Sequence, residues 1–318
     1  MRQKQNFTNP VISNSTYSGE AASGYIAAAL FSARTLDNKY ITIMPNVKFK
    51  SVIQKLAVDN IISNASCDFT ATGSVAITER IITPKELQVN VQLCKSEFID
   101  SWNALQLGYS SFNTIPASFN DYLVSYISGE VAQETERSIW QGTASTNGQF
   151  GGLYPALSSS VGAGGATSPI TSSASGSITS ANVLASLNSL VEAVPTSVYG
   201  KEDLLIYAPT NVAKAYQQAL AGGAAGANGW NNQMNVGEKP FNFNGIEIVW
   251  CPGLANNAVV CAQKSNLFFA TGLLSDYNQV KVLDMGDLDG SDTYRIIMRY
   301  SAGTQFGIGE DIVIHKNY

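Results

Sequence analysis

The stretch PASFNDYLVSYISGEVAQETERSIWQGTASTNGQFGG, from Pro116 to Gly152, holds one long helix and the device that ends it. Phe119, Tyr122, Leu123, Tyr126, Ile127 and Val131 recur at spacings of three and four, and Ile139 and Trp140 rejoin the stripe. That periodicity predicts an amphipathic helix over 119–140. Pro116 disfavours helix upstream, Ser118 is placed to cap, and Asp121 offers a carboxylate to the free N–H groups at the helix's positive end. Gly142 supplies the stop. At a rise of about 1.5 Å per residue the helix is roughly 33 Å long, enough to act as the spine of a small domain. Gly129 sits inside it at about 1 kcal/mol relative to Ala.

With 318 residues, 45% hydrophobic and only 14% charged, the chain buries a sizeable core in one or two domains. Average soluble domains are nearer 25% charged, so Ser, Thr, Asn, Gln and Gly must supply much of the polar surface. A large buried interface accounts for that economy of charge, and so does a Ser/Asn-rich exterior. Net charge is −5, from 19 basic and 24 acidic residues with no block of either sign. A dedicated nucleic-acid-binding protein would carry a basic stripe, and none is present. The start, Met1-Arg2-Gln3-Lys4-Gln5-Asn6, lacks the apolar core of a signal peptide, and no run approaches a membrane span. The expectation is a protein made and kept in a cytoplasm, with no membrane partner.

Outward from the spine, 1–19 reads as a polar arm with Phe7, Val11 and Ile12 as isolated apolar anchors, and 20–36 as a short Ala-rich helix. From Tyr40 to Cys94 the pattern alternates: Ile41 and Ile43, Val47 and Phe49, Cys67 and Phe69, Val75 and Ile77, then Leu87, Val89, Val91 and Leu93. Turns near Gly73 and Pro84 make this an extended antiparallel element. Residues 96–107 read as a helix. Beyond Leu153, 158–180 is almost wholly Ser, Gly, Ala and Thr and reads as a loop or linker. Then come a helix over 183–194 closed by Pro195, a buried strand over 203–208, and a helix from Thr210 to Leu220. A segment over 221–240 carries a solitary Trp230. Asn244-Gly245 marks a type I′ hairpin, and strands are predicted over 258–262 and 267–270. Tyr294, Ile296, Met298 and Tyr300 alternate with Arg295, Ile297 and Arg299, and Ala302-Gly303 is placed to turn the chain into a last strand over 305–314. The sum is an α+β fold.

Catalytic chemistry finds little support. The single histidine, His315, reads as a surface residue closing the final strand, and no Gly-x-Ser-x-Gly elbow accompanies it. No phosphate-cradling loop is present. Cys67, Cys94, Cys251 and Cys261 are widely spaced, which supports neither a metal site nor a disulfide framework and leaves them as free thiols half buried in strands. Asp284, Asp287, Asp289 and Asp292 cluster, but from Asp287 the sixth position is Asp292 and the twelfth Met298, which excludes an EF-hand loop. A solvated turn on Asp289-Gly290 explains them better. No catalytic residue, cofactor or metal is assigned.

The order of elements resembles the major capsid proteins of tailed bacteriophages, with the Hong Kong 97-type (Johnson) fold. The resemblance rests on the polar arm, the extension from Tyr40 to Cys94, the spine with Ala132-Gln-Glu134-Thr-Glu136-Arg137, and Trp140-Gln-Gly142 followed by Phe150-Gly-Gly152-Leu153. Asn266-Leu-Phe-Phe-Ala-Thr-Gly272 with Ser275-Asp276 looks like the family's late strands, and 294–314 like its closing hairpin. The flavour is closest to capsid proteins of crAss-like and related phages of Bacteroidetes. The resemblance implies an N-terminal arm over 1–36, an extended loop over 37–95, a peripheral domain over 96–152 with the spine helix, an axial domain over 153–275, and peripheral C-terminal strands over 276–318.

It further implies a non-enzymatic, self-assembling major capsid protein that forms hexamers and pentamers and the icosahedral head enclosing double-stranded DNA, without sequence-specific contact. Such a container needs no basic stripe. Scaffolding, portal and decoration proteins are the implied partners, the virion the implied location, and the absence of a long helical N-terminal extension implies a separate or already removed scaffold. Intersubunit contacts are expected from the arm (Phe7, Val11, Ile12), from the extended loop (Lys48, Lys50, Lys55, Phe69, Val75, Ile77, Lys85) and from Trp230. An encapsulin-like cargo compartment and, from another class, a β-rich secreted surface adhesin stay open as alternatives.

Overall fold

A computed structural model describes residues 34–59, 62, 64, 67, 74–94, 117–162, 168–173, 176–221, 241–272, 280–286 and 290–316. The arm over 1–19, the predicted helix over 96–107 and the segment 222–240 lie outside the described residues. The chain runs α1 (Arg34–Asp37), β1 (Thr42–Met44), β2 (Ser51–Asp59), β3 (Ser74–Ile82), β4 (Lys85–Cys94), α2 (Ala117–Gln141), α3 (Leu153–Ser160), β5 (Ile170–Thr171), α4 (Val183–Glu192), β6 (Leu204–Ala208), α5 (Thr210–Ala221), β7 (Phe241–Phe243), β8 (Ile246–Trp250), β9 (Val259–Gln263), β10 (Leu267–Thr271), β11 (Val280–Asp284), β12 (Thr293–Phe306) and β13 (Val313–His315). Its internal contacts divide it into two units, 1–29 with 89–126 and 280–298, and 30–88 with 127–279 and 299–318.

The larger unit is organised by a six-stranded mixed sheet in the order β5-β13-β9-β6-β8-β7. Every residue of β6, Leu-Leu-Ile-Tyr-Ala, is buried, as expected of a strand covered on both faces. Leu205 and Tyr207 join a core with Ile139, Trp140, Phe150, Leu153 and Leu157. Leu204, Ile206 and Ala208 join a second core with Leu187 and Leu190 of α4 and Val212 and Tyr216 of α5. The period-two alternation of a strand therefore feeds two cores from one apolar run. Asn244 and Gly245 have φ of 49° and 82°, the left-handed pair of a type I′ turn, and join β7 to β8 as their sequence predicts.

In the same unit β1 pairs parallel with β10, and β10 pairs antiparallel with residues 302–306 of β12. A separate two-stranded hairpin, β2 with β3, runs in register from Ser51↔Ile82 to Asp59↔Ser74. In the smaller unit β11 pairs antiparallel with residues 294–298 of β12, and Arg295 Nε donates to Gln92 Oε1 at 3.1 Å. Tyr294, Ile296 and Met298 are the buried face of that alternation.

Five expectations need correction. The spine has 25 residues, about 37 Å, and begins at Ala117, so Ser118 lies inside its first turn and not at its cap. Among the described residues between β1 and β4 only β2 and β3 form an extended hairpin, because β1 and β4 pair into the other sheet and Phe49 lies outside any strand. The Ser-rich segment is not wholly loop: α3 carries its first three serines in its last turn, anchored by buried Leu153 and Leu157, and β5 pairs with β13. Ala302-Gly303 makes no turn. β12 runs through it for 14 residues, and Gly303 is needed because an added Cβ would lie 2.9 Å from Cα of Pro84. The last strand, β13, crosses to the six-stranded sheet and pairs with β9, which buries His315 at 1% exposure.

Candidate functional site

The C-terminal half of the spine ends in a buried polar cluster. Ile139 and Trp140 are fully buried, and the Trp140 ring lies 5.1 Å from that of Tyr207. Trp140 Nε1 donates to Thr35 Oγ1 at 2.9 Å. Thr35, in the turn of helix α1, in turn donates twice to one carboxylate: its N–H to Glu136 Oε2 at 3.0 Å and its hydroxyl to Oε1 at 2.5 Å. Cys251 Sγ lies 3.8 Å from the same hydroxyl, and the Tyr207 hydroxyl donates to the Tyr40 carbonyl at 2.6 Å. Residues 35 and 136 thus fasten the start of the described chain to the spine. Gly253 sits so close that an added Cβ would meet the Glu136 carbonyl oxygen at 2.2 Å.

Burial raises the Glu136 carboxyl above its ordinary 4.5, with the bonds from Thr35 and Trp140 opposing and Asp37 adding to the rise. The folded chain therefore holds this proton more tightly than the unfolded chain. Its contribution to stability is fully present below the ordinary value and is lost as pH rises through the folded value. Denaturant unfolding of the intact chain and of Glu136→Gln across pH should show this. The difference in unfolding free energy, intact minus variant, is expected to fall as pH rises from about 4.5. A pH-independent difference would contradict the assignment.

The helix stops at Gly142, whose N–H donates to Ser138 O at 3.0 Å and whose carbonyl accepts from Gly152 N at 2.8 Å. The loop between them folds around Lys85. Its ammonium donates to the carbonyls of Ala144, Thr146 and Gln149 at 3.1, 3.2 and 2.9 Å.

The hairpin β2–β3 has two unlike faces. Ile82, paired with Ser51, is buried against Val47 and Ala270. On the opposite face Val52 pairs with Ile81, and both are exposed, as is Ile77 at 62%. Phe49, before the hairpin, is 82% exposed between the exposed Lys48 and Lys50, and Ile62 beyond β2 is 91% exposed. Scattered exposed apolar residues are ordinary, but here Val52, Ile77 and Ile81 share one face of the hairpin, with Phe49 exposed just before it.

Of the residues expected at contacts, Lys48, Lys50 and Ile77 are therefore exposed, whereas Lys85 is engaged inside the chain. Lys55 and Val75 have places in the strand register, opposite Thr78 and Val58, and their side chains lie outside the described residues. Phe7, Val11, Ile12, Phe69 and Trp230 lie outside them as well. Sequence reasoning missed Thr35 and Glu136. The one available signal was a carboxylate four residues before Trp140, on the face that Trp140 buries.

Among the described residues no arrangement resembles a catalytic centre. Ser172 Oγ and His315 Nδ1 are 3.3 Å apart, but His315 Nε2 faces the Gly176 carbonyl at 3.2 Å where an orienting carboxylate would be needed. Both residues are buried away from any substrate. None of the four cysteines is joined in a disulfide. Cys67 is exposed and Cys94 half-buried, while Cys251 and Cys261 are more deeply buried than expected, and burial pushes the Cys261 thiol up to about 12. Among the described residues no cluster of His, Cys, Asp or Glu gathers to hold a metal, and no helix is long and apolar enough to cross a membrane. Asp287 and Asp289 lie outside the described residues, but β11 and β12 do form the hairpin expected around Gly290, which has φ 72°.

No family model matches the chain. No curated protein sequence matches it either. Solved structures do match, over almost the whole length. The capsid of a native GTA particle aligns at TM-score 0.65 and 13% identity, covering 92% of both chains. The capsid of Myoviridae Phage XM1 aligns at 0.57 and 12%, over 92% of this chain and 94% of that one. The capsid of cyanophage P-SCSP1u aligns at 0.55 and 12%, over 96% and 94%. The likeness is one of fold: this chain has the α+β, Hong Kong 97-type fold of phage capsid proteins.

Proposed function

We propose that the chain is the major capsid protein of a tailed phage, a non-enzymatic subunit that assembles into the icosahedral head around double-stranded DNA. The observation that carries this reading is the match to phage and GTA capsids over nine-tenths or more of both chains. In the proposed shell the subunits are arranged as hexamers and pentamers. Portal and scaffolding proteins are the partners of such a shell, decoration proteins are an optional addition to it, and the virion is its location. Placement near the crAss-like phages rests on the order of sequence motifs alone.

The physical role of the hairpin follows. Burial of a Val or Ile side chain contributes about 1.5–3 kcal/mol, so Val52, Ile77 and Ile81 together supply several kcal/mol to one contact with a neighbouring copy. Contacts of that size, repeated around each subunit, hold a shell multivalently and still let errors anneal. Expression of the chain with negative-stain microscopy tests the reading. Closed shells are expected, and small oligomers alone under assembly-permissive conditions would refute it. Shells filled with protein cargo and no DNA during infection would favour the encapsulin-like alternative. The double variant Ile77→Asp, Ile81→Asp is expected to abolish closed particles and to shift the subunit's thermal midpoint by less than about 3 °C, since both side chains are exposed. Unimpaired assembly would remove the hairpin from the contact.

A further inference from the structure

We infer that Lys85 is a positioning residue: its ammonium is the built-in cation of a carbonyl cage that locks the root of the β2–β3 hairpin to the end of the spine. Its role in assembly rests on the capsid reading, whereas the lock itself is a property of the single subunit.

An ammonium carries three N–H donors and no acceptor. Lys85 meets three carbonyl oxygens, of Ala144, Thr146 and Gln149, all between 2.9 and 3.2 Å. Each proton can therefore have its own acceptor. Three carbonyl dipoles aimed at one point repel each other unless a cation lies between them, so this loop conformation depends on the charge it surrounds. The loop's own bonds are few: Thr146 N to Thr143 O, Gln149 N to Thr146 O, and Thr143 N to Gln149 Oε1 at 3.2 Å. A guanidinium would not replace the ammonium, because its donors are spread over a planar fork.

Independent contacts place the same joint against β12. Gln305 Nε2 donates to Ile81 O at 3.1 Å, and Thr304 Oγ1 donates to Gly151 O at 2.5 Å. Arg80 lies 3.7 Å over the Phe306 ring, and Pro84 packs where Gly303 has no Cβ. Hairpin root, spine-end loop and β12 thus meet in a three-way joint, and Lys85 ties the first two of these together. Adaptation to different neighbours then falls on the hairpin beyond this joint and not on a hinge at residues 80–85. The three lysines between Tyr40 and Cys94 whose side chains are described are consequently unequal: Lys48 and Lys50 face outward, and Lys85 is bonded within the subunit.

Pulsed acetylation of the intact, unassembled chain, read residue by residue by mass spectrometry, tests the cage without any variant. Lys85 is expected to react at least tenfold more slowly than Lys48 and Lys50, and equal rates would overturn the proposal. In Lys85→Met, hydrogen exchange at the amides of Thr143, Thr146 and Gln149 should accelerate at least tenfold while α4 and α5 keep their protection. Unchanged exchange in the loop would overturn the proposal, and so would acceleration spread evenly over the molecule, which marks general destabilisation. The capsid reading fails separately, if the intact chain with a protected Lys85 forms no shells.

Discussion

Replacing Trp140 by alanine is expected to destabilise the subunit by about 3–5 kcal/mol, the range for truncating a large buried aromatic. Three observations set that magnitude. The side chain is fully buried, its ring lies 5.1 Å from Tyr207 across the six-stranded sheet's inner core, and Nε1 donates to Thr35. Alanine leaves a cavity among Ile139, Phe150, Leu153 and Tyr207, and it deprives the Thr35 hydroxyl of a donor while that hydroxyl is still committed to Glu136. Domains have only about 5–15 kcal/mol of stability to lose, so the native population falls by orders of magnitude. Trp140→Phe separates the two contributions, because it retains most of the packing and removes the N–H. Its loss should be nearer 1–2 kcal/mol, one neutral hydrogen bond plus a small void. Urea titration of both variants by far-UV circular dichroism measures the ranking. Equal losses would mean that packing is irrelevant at this position, and a loss below about 1 kcal/mol for alanine would remove Trp140 from the core.

Trp140 was legible in the sequence because its signal is local. It continues a stripe of period 3.6 and precedes a glycine, and both facts lie within one helix. The same holds for the Asn244-Gly245 turn and for the all-apolar β6, whose chemistry is written in neighbouring residues. The misreadings have the opposite character. Ala302-Gly303 has the composition of a turn, yet the reason for Gly303 is Pro84, far away in the chain and packed against β12. Alternation over 40–94 identifies strands but not their partners, and β1 and β4 leave the hairpin to pair with β10 and β12. The serines of α3 concealed a helix whose cause is the burial of Leu153 and Leu157 in a nonlocal core. Of the candidate site, exposed Lys48, Lys50 and Ile77 were readable as surface chemistry. Thr35 and Glu136, 101 residues apart, and Lys85, 59 to 64 residues from its three carbonyls, were not, because only tertiary packing creates their bonds.

Gly142→Ala is expected to destabilise as severely as the loss of Trp140, for the opposite reason. An added Cβ would lie 2.3 Å from the Phe150 carbonyl oxygen and 2.5 Å from that of Ser138, and both are backbone atoms that cannot rotate away. One oxygen belongs to the last turn of the spine and the other to the returning chain, so relief requires the two to separate. Overpacking that moves backbone costs about 1–3 kcal/mol and at times more, and two simultaneous clashes put this site at or beyond the upper end. Separation also breaks the Gly152 N to Gly142 O bond and moves the loop whose carbonyls enclose Lys85. Gly148→Ala is the internal control. It lies in the same loop with φ 78° and nothing within 4 Å of the added carbon, so only the left-handed backbone resists, at about 1–2 kcal/mol. Gly152→Ala, whose Cβ would lie 2.6 Å from the Gly142 nitrogen, relaxes by the same displacement as Gly142→Ala. The double variant should therefore lose clearly less than the sum of the single losses, as expected for sites that share one structural response. Additive losses in denaturant titration would show that the two glycines answer separate constraints, and the closed junction between spine and returning loop would not be a single mechanical unit.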